Sequence, residues 1–91
     1  MITIFKYPVQ MSEDFTFEAP AGAEFLSVQV QAGEAQLWAR VDTSRPSAAY
    51  RFGVHGTGHE MNSFTRSAPH IGTFQLDGGT LVFHLFGGLY A

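Results

Sequence analysis

A chain of 91 residues with no cysteine and a net charge of −3 fits one domain, residues 1–91, and excludes disulfides, thiolate metal sites and a cysteine nucleophile. Its five basic residues, Lys6, Arg40, Arg45, Arg51 and Arg66, are scattered, which argues against nucleic-acid binding, because neutralising phosphates takes clustered cations. The lack of disulfide staples, of a signal-like start and of any apolar run near ~18 residues points to an intracellular protein with no membrane span.

Two-residue alternation dominates the chain. "ITIFKY" and "FTFE" alternate, with Pro8 ending the first and Pro20 with "AGA" closing the second. In "EFLSVQVQ", Leu26, Val28 and Val30 are read on one face, with Ser27, Gln29 and Gln31 opposite. In "AQLWARVD", Leu37, Ala39 and Val41 oppose Gln36, Trp38, Arg40 and Asp42. Only "AGE" separates these runs, and Gly33 supplies the positive φ of a tight turn, so residues 24–42 form a hairpin. "TSRPSA" is a polar connection. "AYRFGVH" then sets Tyr50, Phe52 and Val54 against Arg51, Gly53 and His55. "GTGHEMNSFTRSAP", residues 56–69, is a long connection for so small a domain, and such loops tend to be functional or disordered. "HIGTFQLDGGTLVFHLF" is a second hairpin around Asp-Gly. Its last strand is apolar on both faces apart from His84, as a central or partner-covered strand would be. No segment carries a 3.6-residue apolar period. The expected fold is therefore all-β, a small antiparallel sandwich or barrel of about seven short strands.

The residues that break this rhythm are the candidates for function. His55 and His59 lie four apart, but Gly-Thr-Gly is a poor helix and no fourth metal ligand is indicated, so a polar turn with an exposed imidazole is the plainer reading. Gly53, Gly56 and Gly58 can aim backbone N–H groups at an anion, or can mark only a sharp bend; the Walker and dinucleotide patterns are absent. Arg51 and Arg66 flank this segment. Trp38, on the polar face of its strand, is either a subunit or ligand contact or a core residue of a second sheet. His84 reads as a hydrogen-bonded core histidine. No nucleophile elbow or carboxylate pair is present, so no catalytic set is assigned, nor any cofactor or metal.

The segments "TIFKYPV", "PAGAEFLSVQVQAGEAQLWARVD", "GTGHEM" and "IGTFQLDGGTLVFHLF" resemble a family of short proteins encoded by bacteriophages and prophages. The motif positions here are Lys6, Tyr7, Pro8, Trp38, Gly56, Thr57, Gly58, His59 and His84. The chain departs from the pattern with Phe83 where tryptophan is frequent, and with a longer Gly-Gly-Leu-Tyr-Ala tail. The resemblance implies a small accessory protein of the bacterial host cytoplasm that acts by binding, commonly as a homo-oligomer. Two roles against host defence follow from it by analogy. The first is sequestration of a small anionic, nucleotide-like signal by Arg51, Gly56, Thr57, Gly58, His59, Arg66 and Trp38. The second is protein–protein inhibition of a defence complex such as a CRISPR effector, through the Trp38 face. A virion or assembly component is a further alternative.

Overall fold

The computed structural model describes residues 1–91. Its strands are Ile2–Pro8 (β1), Phe15–Pro20 (β2), Glu24–Gln31 (β3), Glu34–Asp42 (β4), Ser47–Gly56 (β5), His70–Leu76 (β6) and Leu81–Tyr90 (β7). The only helical element is a single 3-10 turn, Asp77–Gly79. All pairings are antiparallel. Three strands form one sheet in the order β1-β4-β3, and four form the other in the order β2-β5-β7-β6. Of the all-β sandwich or barrel expected from the alternation, the two-sheet sandwich is the architecture found. No helix is long and apolar enough to cross a membrane.

Alternation decides which side chains meet between the sheets. From β4, Ala35, Leu37, Ala39 and Val41 are buried, and β5 contributes Tyr50, Phe52 and Val54. Phe15 and Ala19 of β2, Val28 of β3, Phe74 of β6 and Leu85 of β7 complete the interior. Aromatic rings do much of the filling. Tyr7, Phe17 and Phe52 stack in series at 4.8 Å spacings, and Phe15 follows at 5.6 Å from Phe52. Phe25 meets Tyr50 and Phe52 edge-on at 5.1 and 5.0 Å. Large rings in offset or edge-on contact let a short chain bury a large apolar area with few residues. Tyr50 fixes the crossing between sheets: its hydroxyl donates to the Pro20 carbonyl at 2.9 Å and accepts from the Ala23 amide at 3.1 Å.

Both expected hairpins form. The β3–β4 turn places Ala32 and Gly33 at φ of 52° and 81°, the left-handed pair that matches strand twist in a two-residue turn. Strand β7 is central, flanked by β5 and β6, as its two apolar faces require. It runs on through the glycine-containing tail to Tyr90, whose ring stacks on Tyr50 at 5.0 Å.

Strand β3 departs from simple alternation. A β-bulge lies between Phe25, which opposes Ala39, and Ser27, which opposes Trp38. The extra residue, Leu26, is 45% exposed, and Phe25 takes the core position instead. Val30 is exposed too. Two residues opposing one shift the rhythm by a single step, so Leu26 and Val28 do not share the interior.

Candidate functional site

The Gly-Thr-Gly-His turn continues β5 beyond Gly56 and is pinned to β7. The Thr57 amide donates to the Val82 carbonyl at 3.2 Å, and the His59 amide donates to the Gly56 carbonyl at 3.1 Å. The His59 ring lies against Gly56 so closely that a β-carbon there would stand 3.0 Å from Nδ1. Two clefts meet at this contact. One, of about 290 Å³, is lined by Gly56, Thr57, His59 and residues 80–83. The other, of about 300 Å³, reaches from Met11, Ser12 and Glu13 to Val54 and Phe83 at the end of the sandwich. Gly56, Thr57 and His59 thus line one cleft. Gly58 stands at φ +86° with open space around it.

The expected charge does not join them. Arg51 is held by Asp14, its Nε and Nη2 donating to the two carboxylate oxygens at 2.9 and 2.8 Å. Its guanidinium also lies 4.2 Å over the Phe64 ring. The hydrogen bond from Arg51 is the main reason the Asp14 carboxyl titrates below its ordinary range. Arg66 is exposed and lines none of the clefts at His59. A third hollow beside His59 holds Glu13 and Glu60. The carboxylates around this imidazole repel an anion rather than attract one.

His55 is not an exposed turn residue. It is 3% exposed, and its Nε2 lies 2.7 Å from the Thr65 hydroxyl. Thr65 is 0% exposed; its hydroxyl and amide both donate to Asn62 Oδ1, at 2.9 and 2.8 Å. Asn62 Nδ2 then donates to the Glu13 carbonyl at 2.8 Å. With the Thr65 proton engaged by Asn62, His55 Nε2 is the donor, and its buried Nδ1 has no partner. On the same sheet face, His84 lies between the hydroxyls of Thr57 at 2.8 Å and Thr73 at 2.9 Å. His84 is therefore hydrogen-bonded and half-buried on an outer face, not in the core. His55 and His59 do not converge, and no group of three His, Asp or Glu side chains is placed to hold a metal. Asn62 and Thr65 carry this network from an aperiodic loop, so no pattern in the sequence marked them.

Trp38 lies elsewhere, on the outer face of the three-stranded sheet. It faces Lys6 of β1 and Ser27 of β3. It is half-buried there, so it is not a core residue of a second sheet. The same face carries Ile2 and Ile4, exposed by 71% and 58%, with Leu26 in the bulge opposite Trp38. Polar pairs are interleaved with these residues: Lys6, opposite Trp38, donates from Nζ to Gln31 Oε1 at 2.7 Å, and Arg40, opposite Ile4, pairs with Glu24 at 2.6 Å.

No curated protein matches this chain, and no solved structure does. One family model covers residues 1–89. The chain belongs to the family described as a domain of unknown function, DUF7352.

Proposed function

We propose that this chain is a non-enzymatic binding protein that docks another protein on the outer face of its three-stranded sheet. The observation that carries the reading is the exposed aliphatic side chains near Trp38, those of Ile2, Ile4 and Leu26, set among paired polar side chains. Tryptophan concentrates binding energy at such contacts, because its large face loses water when a partner covers it. The resemblance to phage and prophage accessory proteins supplies the setting, with a protein of a host defence complex as partner. The test is parallel capture from a bacterial lysate by the parent, Trp38→Ala and Arg51→Ala, followed by titration of the purified partner. A partner held by the parent and Arg51→Ala, and weakened at least about tenfold by Trp38→Ala, supports the reading. Equal retention by all three refutes it.

A second reading, binding of a small molecule, is favoured by the two clefts that meet at His59. Their apolar floor of Val54 and Phe83, with Glu13 beside the imidazole, suits a neutral or cationic ligand better than an anionic one. Thermal-shift screening of nucleotides against neutral and cationic heterocycles, with His59→Ala as control, separates the two. Stabilisation by nucleotides alone would restore the anionic signal.

A further inference from the structure

We infer that two copies of this chain pair through the free edge of β1, in one antiparallel register centred on Ile4. The inference begins with where the backbone of β1 points. The Val9 amide donates to the Ala35 carbonyl, and the Thr43 amide donates to the Met1 carbonyl. In the β1–β4 register these are the pairs Val9 with Ala35 and Met1 with Thr43, continuing the series Thr3–Val41, Phe5–Ala39 and Tyr7–Leu37. Antiparallel pairs alternate between bonded and non-bonded. The odd-numbered residues of β1 therefore spend their amide and carbonyl groups on β4. The groups of Ile2, Ile4 and Lys6 point away from the sheet, and Pro8 has no amide proton to offer.

A free edge of this kind is a template for another strand, and proteins usually guard it. The other three edges of the sandwich carry guards. Strand β3 has its bulge, and β6 has a register shift between His70 and Gly72. Strand β2 is short, with Glu18 exposed and Pro20 at its end. From Ile2 to Phe5, β1 carries no charge, bulge or proline, and Ile2, Ile4 and Phe5 are all exposed. Its one lysine does not guard the edge, because the Lys6 ammonium is turned inward across β4 onto Gln31.

The same letters specify the partner as a second copy. An antiparallel pair about a two-fold axis at Ile4 sets Ile4 against Ile4 and Ile2 against Lys6 of the second copy. All three outward residues then exchange both backbone groups, about six hydrogen bonds in all. A shift by one pair sets Lys6 past the partner's β1 in one direction and Ile2 against Pro8, which has no amide proton to return, in the other; only the register centred on Ile4 lets all three outward residues exchange both groups. Between the bonded pairs, Phe5 meets Thr3 of the second copy. An interface related by a two-fold axis closes on itself, so assembly stops at the dimer. The two three-stranded sheets become one of six strands, which joins their Trp38 faces on a single side. The pairing does not depend on what docks at Trp38.

Sedimentation velocity of the purified chain over a wide concentration series tests it. The parent is expected to pass from 10.0 kDa to twice that mass as concentration rises. Ile4→Pro removes an outward amide proton and no bond to β4, so it is expected to stay monomeric with an unchanged circular dichroism spectrum. Trp38→Ala is expected to dimerise as the parent does, which separates this inference from the docking surface. Because the chain has no cysteine, Ile4→Cys provides an independent check should the proline variant unfold. Facing bonded residues lie about 5.5 Å apart between Cα atoms, within disulfide range. Oxidised glutathione is expected to link Ile4→Cys into a covalent dimer and to leave Leu89→Cys unlinked. A parent that is monomeric at every concentration overturns the inference. So does a folded Ile4→Pro variant that still dimerises, or equal cross-linking of the two cysteine variants.

Discussion

The two sheets treat their outer faces in opposite ways. Behind the four-stranded sheet, the chain folds its own loop and the segment before β2 over the strands. Thr65 and His55 are sealed there, and Gly53 faces the Glu13 backbone. Behind the three-stranded sheet nothing is laid down, and Ile2, Ile4 and Leu26 stay in water beside Trp38. A chain this short has one long loop. Spending it on one sheet leaves apolar surface of the other in solvent. The covered face is therefore where stability is expected to be sensitive, and the bare face is where binding is.

Substitutions can break or sharpen that contrast. The largest effect is expected from Gly53→Val. A β-carbon at Gly53 would stand 2.3 Å from the Glu13 carbonyl oxygen and 2.5 Å from Thr65 Cγ2, so the cover must lift or the strand must shift. A loss of about 3 kcal/mol or more in urea unfolding is expected. A loss well below ~1 kcal/mol would mean that the cover yields easily. Thr65→Val keeps the shape but strands His55 Nε2 and one bond of Asn62, and about 2 kcal/mol should be lost in the same assay. The Arg51–Asp14 pair is expected to matter less and only in acid. The Asp14 carboxyl is held below its ordinary value by Arg51, so its contribution is complete above the unfolded value near pH ~4 and is lost as pH falls through the folded value. Thermal melts below that pH should show a steeper acid decline for the parent than for Asp14→Asn. The smallest change is expected on the bare face. Ile4→Thr should alter stability by under about 0.5 kcal/mol while visibly reducing binding of an apolar dye.

Much of this was legible in the letters because most strands obey a period of two. Leu37, Ala39 and Val41 point inward as the pattern requires, and Asp77-Gly78 turns the second hairpin where expected. The pattern failed at Leu26, because a bulge leaves no mark in an alternation that looks continuous on both sides of it. It failed again at Arg51. The residue that captures this cation is Asp14, 37 positions away, and strand pairing rather than spacing brings them together. The alternation sets His55 on the side of its strand away from Tyr50, Phe52 and Val54, beside a polar turn, and so suggests an exposed imidazole. Its burial comes from Thr65 and Asn62, which arrive from a loop without periodicity. The alternation sets Trp38 on the polar side of its strand, where it lies, but its distance from the Gly56–His59 turn depends on which sheet β4 joins, and local sequence does not state that.

The strand order has a kinetic consequence. Only β3 with β4 and β6 with β7 are neighbours both in the chain and in a sheet. The pairings of β1 with β4, β2 with β5 and β5 with β7 each close a long stretch of backbone before any contact rewards it. Topologies of this sort assemble in milliseconds to seconds rather than microseconds. During that interval the β1 segment, apolar and extended, waits for β4 with both of its edges open. Crowded, freshly synthesised chains are then at greatest risk of tangling through it, and dilution or a holdase chaperone should raise the yield of native protein.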